Sequence, residues 1–257
     1  MTLRTDNPYK HDIFTVKQYG EHTVKIAYSK TMRESGWEDE REFVKKGSVN
    51  SEKLTCNLAR AKAMVREYAL CNPWDWWCTF TIDPKKYDRR NLDAYFKDFS
   101  KFLNNYNRCE EEYKVKYLLV PEQHKDGAWH IHGFIKGIKP QDIFVNEHGY
   151  FSWKQYHKKF GYISMEKLKD QERASSYILK YMTKDTDKNV SALHKHLYYQ
   201  SQGLERATEL YRGFAEYYGN WDWEHPEGYV KIKNLDVRKD NISDYMEIYD
   251  NDSTTSI

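Results

Sequence analysis

Two histidines one residue apart stand out in the stretch AWHIHGFIK, residues 128–136. On a strand, side chains i and i+2 share a face, so His130 and His132 point one way and Trp129, Ile131 and Gly133 the other. Such a pair is either a polar face wetted by solvent or half of a metal site. A third donor lies in the preceding strand, Glu122, across the turn Lys125-Asp126-Gly127. A two-residue loop at Asp126-Gly127 would set Gln123 against His130 and send Glu122 to the opposite face. A three-residue loop with Gly127 in the left-handed region changes the parity: Glu122 then opposes His130 and lies diagonal to His132. Glycine at the third loop position is what that turn requires. The sequence therefore predicts a metal site of Glu122, His130 and His132, with His124 on the same face, nearer the turn, as a supporting group.

Imidazole and carboxylate together accept zinc, manganese, cobalt or nickel. The H-E-x-x-H helix of zinc proteases is absent. A third alternating histidine, as in histidine-triad nucleotide hydrolases, is replaced by Phe134.

The second chemical signal is YILKYMTK. Tyr177, Lys180, Tyr181 and Lys184 fall at i, i+3, i+4 and i+7, one face of a helix, while Ser175, Ile178, Leu179 and Met182 cover the other side. Tyrosines and lysines are also common on solvated helix faces, so the pattern gains meaning only beside the metal donors. A phenolate oxygen can attack a phosphodiester and become covalently phosphorylated. With an ordinary tyrosine pKa near 10 it needs help at neutral pH. A divalent cation can orient and polarise the phosphate, and Lys180 or Lys184 can hold its oxygens. The covalent link conserves the bond energy, so rejoining needs no ATP. No G-x-x-x-x-G-K-[ST] loop occurs.

The elements that must carry these groups are legible in outline. TVKQYGEHTVKIAYS reads as a hairpin turning at Gly20, and residues 31–49 as a charged loop. Residues 51–70 have helical spacing at Leu54, Leu58, Ala61 and Val65, with Ser51 as N-cap. WWCTFTID reads as a strand stopped by Pro84, and NLDAYFKDFSKFLNNYN as an amphipathic helix. KYLLVPEQH, AWHIHGFIK and GYISMEKL read as strands, and QERASSYILKYMTKD as a helix. Residues 75–187 thus run strand, helix, three strands, helix: an α+β domain with an antiparallel sheet and packed helices. Beyond 188, LYYQSQGL and YVKIKN read as strands, LERATELYRGFAEYY as a helix, and the acidic, polar end as disordered. The expected division is a hairpin-and-helix extension over 1–70, a catalytic domain over 71–205 and a C-terminal extension over 206–257.

Composition narrows the class. With 41 Lys+Arg against 39 Asp+Glu, the net charge is only +2, so a nucleic-acid surface must be a local patch. Lys136, Lys139, Lys154, Lys158, Lys159, Lys180 and Lys184 are the candidates. The 22 tyrosines and 8 tryptophans build cores and can also stack on unpaired bases. Four cysteines without a C-x-x-C pair read as reduced thiols, not as a zinc ribbon. No stretch has the roughly 20 apolar residues of a membrane span, and the opening residues carry no secretory core, so a soluble cytoplasmic protein is expected.

The motifs in this order resemble the HUH endonucleases. WWCTFTID is similar to the first motif of rolling-circle replication initiators, PEQHKDGAWHIHGF to the second, and YILKYMTK to the third, in its two-tyrosine Y-x-x-K-Y form. YYQSQGL resembles a segment that often follows in phage and plasmid replication proteins. The likeness spans roughly residues 75–205. It implies a central antiparallel sheet of about five strands with flanking helices, akin to an RRM-like or palm-like core. It implies magnesium or manganese held by Glu122, His130 and His132. Tyr177 takes the nucleophile position with Lys180 as its partner, and Tyr181 acts in a later strand transfer. The implied activity is DNA nicking and joining at a replication origin through a 5′-phosphotyrosine, in a bacterial cytoplasm. The partners would be single-stranded or hairpin origin DNA and a separate helicase and polymerase. A tyrosine transposase and a non-catalytic DNA-binding regulator of the same fold are the alternatives. The first motif departs from the family in its bulky Trp76, Trp77 and Cys78, read as structural.

Overall fold

The computed structural model describes residues 9–33, 51–108, 112–182 and 196–249. In chain order the elements are β1 (Tyr9–Tyr19), β2 (Thr23–Arg33), α1 (Ser51–Cys71), β3 (Trp76–Ile82), α2 (Leu92–Arg108), β4 (Lys116–Gln123), β5 (Trp129–Lys136), β6 (Ile143–Val145), β7 (Phe151–Trp153), α3 (Lys154–Lys159), β8 (Gly161–Lys167), α4 (Gln171–Tyr177), β9 (Tyr199–Gln200), β10 (Thr208–Gly213), β11 (Ala215–Tyr217), β12 (Trp223–Glu224), β13 (Val230–Asp236) and β14 (Met246–Ile248). The class is α+β with antiparallel sheets, as the sequence predicts. The chain forms two compact units, one over residues 49–205 and one built from residues 1–48 together with 206–257.

In the unit 49–205, seven strands pair in the order β6-β7-β8-β3-β5-β4-β9. The expected five strands are enlarged by the short β6–β7 hairpin, which the sequence does not announce. One face carries Trp76, Cys78, Phe80 and Ile82 of β3 with Ile131 and Ile135 of β5, and packs on Tyr95, Phe96, Phe99 and Leu103 of α2. The strict alternation of buried and half-buried residues along β3 is the signature of a strand whose two faces differ. Burial of each large apolar side chain here contributes about 1.5–3 kcal/mol at most.

The opposite face carries Leu118 and Val120 of β4 and Phe134 of β5, covered by Ala61, Val65, Tyr68 and Ala69 of α1 and by Ile178 and Met182. The sequence groups α1 with the N-terminal hairpin; in the structure it belongs to the unit 49–205 and shares a core with this sheet. It also anchors α4: the Gln171 side-chain amide donates to the carbonyls of Ala69 (2.8 Å), Leu70 (3.1 Å) and Asn72 (2.9 Å). Those are carbonyls that the end of a helix leaves without partners. Asp170 caps α4 by accepting from the Arg173 backbone N–H at 2.9 Å.

In the other unit, β1 and β2 form the predicted hairpin and sit in a five-stranded sheet ordered β10-β1-β2-β13-β12. Its core gathers Phe14, Val16, Val24, Ile26, Leu235 and Met246. The predicted helix over LERATELYRGFAEYY is not formed. Residues 208–213 are a strand paired with β1, and 215–217 pair with β14. Strand partners on β1 and β14 override a weak helical spacing in this segment. The C-terminal segment is ordered through a turn of 3₁₀ helix at Ile242–Asp244 and β14, and residues 250–257 lie outside the described residues. Most of the predicted loop 31–49 also lies outside them, its first three residues belonging to β2.

Candidate functional site

The turn between β4 and β5 sets the site. His124 donates its backbone N–H to the Ala128 carbonyl at 2.8 Å and accepts from Gly127 N–H at 2.9 Å, leaving Lys125, Asp126 and Gly127 as the loop. Gly127 has φ +84°, the left-handed conformation the three-residue loop needs. The Asp126 carboxylate receives the Ala128 N–H at 3.0 Å and pairs with Arg89 at 3.3 Å, and Arg90 donates to the Asp126 carbonyl at 3.0 Å. The resulting register sets Glu122 opposite His130 and Val120 opposite His132. Glycine is also required one residue beyond His132. At Gly133, φ +157°, an added Cβ would run into the Leu118 carbonyl oxygen.

Glu122, His130 and His132 therefore share the face that α1 and α4 partly cover. His132 is 7% exposed. Its Nε2 contacts a Glu122 carboxylate oxygen at 2.9 Å, and its Nδ1 lies 3.2 Å from the Thr79 hydroxyl. His130 stacks on His124 with ring centroids 4.0 Å apart. Burial, then the neighbouring His124, lowers the His130 pKa below the usual imidazole value of 6.5, so its neutral, electron-pair-donating form is favoured.

Both tyrosines reach this face. Regular α-helix ends at Tyr177 and continues as a 3₁₀ turn over Ile178–Lys180. The sequence predicts unbroken helix through this segment; the tightened turn still presents Tyr177 and Tyr181 side by side. The Tyr181 ring stacks on the His132 imidazole at 3.9 Å, and its hydroxyl donates to the Tyr177 hydroxyl at 2.9 Å. Burial first, then the hydrogen bond to Tyr177 and the Glu122 charge, pushes the Tyr181 pKa well above the ordinary tyrosine value, which keeps its proton in place. Tyr177 is 43% exposed, and the Lys180 ammonium lies 5.1 Å from the centre of its ring. Ser175, Ile178 and Met182 are buried, as the helical stripe predicts, and Leu179 is half-buried. Lys184 falls outside the described residues.

The first motif also borders the tyrosines. Trp77 touches both phenols, edge-on to Tyr177 at 5.5 Å and tilted to Tyr181 at 6.1 Å, and also meets Phe134 at 5.2 Å. Trp77 and Thr79 are the site residues that sequence reasoning misses. The signal the sequence offers is alternation along WWCTFTI, which puts Trp77, Thr79 and Thr81 on one face; the structure pairs that face with His132 and His130. Of the lysines expected to meet DNA, Lys158 is exposed on α3. Lys136 sits four residues beyond His132 at the far end of β5, its ammonium 5.8 Å from the Trp74 ring, with its pKa lowered by burial and by Lys116. Lys154 donates to the Gln141 carbonyl at 2.8 Å, and Lys139 and Lys159 lie over the rings of Tyr106 and of Phe102 and Phe160.

A cation would have one carboxylate and two imidazoles available on one face of two paired strands, a donor set that suits a divalent ion. In the present side-chain arrangement Glu122 and His132 are bonded to each other, and no group of three His, Cys, Asp or Glu side chains forms a cage among the described residues.

Residues 75–186 match a family model of replication-associated proteins, the ORF2 family. The matched stretch contains every site residue just described and covers less than half of the 257 residues. It supports a role in replication initiation for this Rep-like segment. Neither the curated proteins nor the solved structures returned a match. No described helix is long and apolar enough to cross a membrane.

Proposed function

We propose that this protein initiates rolling-circle DNA replication as a two-tyrosine HUH endonuclease, nicking and rejoining one DNA strand through a 5′-phosphotyrosine. One observation carries the reading: Tyr181 lies against His132, which contacts Glu122, while Tyr181 bonds to the exposed Tyr177. A nucleophile pair and a donor set for a cation thus meet on one sheet face.

Magnesium or manganese is the proposed ion, held by Glu122, His130 and His132; when bound it supplies polarisation and orientation of the scissile phosphate. The chain's own residues do the rest. The Tyr177 oxygen bonds to phosphorus and the bond from phosphorus to O3′ breaks. The electron pair leaves on O3′, and the proton lost by the phenol is balanced by the one that the 3′-hydroxyl gains. Lys180 offsets charge on the phosphate or the phenolate. Tyr181 takes the later transfer that releases a closed strand. Trp77 fixes the angle of both phenols. Strand opening would come from supercoiling or from a separate helicase, and synthesis from a separate polymerase.

The direct Glu122–His132 bond favours one competing reading, a DNA-binding regulator of the same fold without nuclease activity. Incubation with supercoiled phage or plasmid DNA in Mg²⁺ or Mn²⁺ decides between them. The nuclease produces open circles and a covalent protein–DNA adduct that denaturant does not dissociate. The regulator produces neither.

A further inference from the structure

A second cluster of rings lies on the same sheet face and has no part in the chemistry above. The register aligns Glu122, His130, Thr81 and Tyr162 in one row across β4, β5, β3 and β8. At about 4.8 Å per strand, Tyr162 stands roughly 10 Å from His130. Thr79, Thr81, Tyr162 and Ser164 are all half-buried, so the row is polar and partly open, unlike the sealed opposite face.

Tyr162 is ringed by the β6–β7 hairpin and α3. His148 from the hairpin lies 6.1 Å from its ring at 59°, and His157 from α3 lies 6.2 Å away at 63°. Phe144 meets His157 edge-on at 5.8 Å. Asn146 donates to the Tyr162 hydroxyl at 2.8 Å, tying the hairpin tip to the sheet. His148 and His157 are exposed. Cations border the cluster: Lys158 is exposed, and the Lys86 ammonium rests on the carbonyls of His157 (3.0 Å) and Lys158 (3.1 Å). Two carboxylates oppose them, Glu147 at 3.6 Å from His148 and Asp83 at 3.8 Å from Lys86. His148 and His157 are exposed and Tyr162 and Phe144 half-buried, beside positive charge. That combination suits an unpaired nucleobase, whose flat face stacks and whose phosphates meet lysine.

We infer that Tyr162, His148 and His157 form a stacking subsite for an unpaired base of the DNA strand that crosses this face to the tyrosines. The inference rests on the nicking reading for the identity of the strand, and its test does not depend on nicking. Anisotropy of a fluorescein-labelled oligothymidylate is followed with the full chain in EDTA, beside a labelled duplex. The double variant His148→Ala/His157→Ala, altered at exposed positions, and Tyr162→Ala each weaken oligothymidylate binding about five- to a hundredfold, the range expected for loss of base stacking. Duplex binding changes less than twofold in every variant. Unchanged oligothymidylate binding by the folded double variant overturns the subsite, as does an equal loss for single strand and duplex. Adduct formation is scored separately. A chain that binds through these rings yet forms no adduct loses the nicking reading and keeps the subsite; the converse result does the reverse.

Discussion

The Tyr181 ring lies flat on the His132 imidazole, with centroids 3.9 Å apart and planes inclined by 17°. This contact joins the tyrosine segment to the histidine strand and makes several outcomes measurable.

The tyrosine assignment is tested by adduct formation on origin-bearing DNA. The double variant Tyr177→Phe/Tyr181→Phe is expected to lose the adduct to background. Tyr177→Phe alone loses the first cleavage if that phenol attacks first, whereas retention by both single variants makes the two interchangeable. An adduct formed by the double variant would move the nucleophile off this segment.

Thr79 is expected to act through His132. A hydroxyl 3.2 Å from Nδ1 can hold the ring so that Nε2 faces a cation. Thr79→Val should weaken Mn²⁺ binding about 10- to 100-fold with the circular dichroism spectrum unchanged. Glu122→Gln should weaken it at least as much. Calorimetric titration with MnCl₂ reads both, and identical affinities in parent and variants would remove Glu122 and Thr79 from any cation site.

Removal of divalent ions should abolish nicking and leave the fold intact, since a site that keeps water for substrate adds little to stability. The check is thermal unfolding with and without EDTA beside the plasmid assay. A large fall in Tm on chelation would point to a structural ion.

Gln171→Ala removes the amide that serves three carbonyls at the end of α1. A loss of about 1–3 kcal/mol in urea unfolding is expected, with adduct formation reduced and Mn²⁺ affinity unchanged. Weakened Mn²⁺ binding in this variant would contradict a role confined to the tyrosine segment.

Gly133→Ala should be among the most damaging single changes, because its methyl group collides with the Leu118 carbonyl oxygen. A cost of about 3 kcal/mol or more is expected. Near-parent urea stability would show that β4 and β5 can separate at little cost.

The relation of Glu122 to the two histidines is readable without coordinates, because strand parity and a glycine at one loop position fix which side chains face each other. The α2 stripe is equally readable, since Leu92, Tyr95, Phe96, Phe99 and Leu103 repeat at helical spacing and all are buried. The β6–β7 hairpin escapes because strands of three residues carry too little alternation to register. The segment around Leu210 and Tyr211 reads as helix because its spacing is ambiguous and its partners on β1 are distant in sequence. Trp77 reads as bulk filling, and its contact with both phenols depends on how α4 docks, which no local pattern encodes.

The sheet containing β1 and β2 closes only when β10 and β13 arrive, and the chain from Arg33 to Thr208 must be made in between. At ordinary elongation rates of about 5–20 residues per second, that interval lasts roughly nine to thirty-five seconds. During synthesis the first hairpin therefore waits with unpaired edges while the unit 49–205, whose strands are contiguous in sequence, can already be complete. Deleting β10 and β13 would leave that hairpin permanently without its neighbours, its two bare edges open to pairing with other chains.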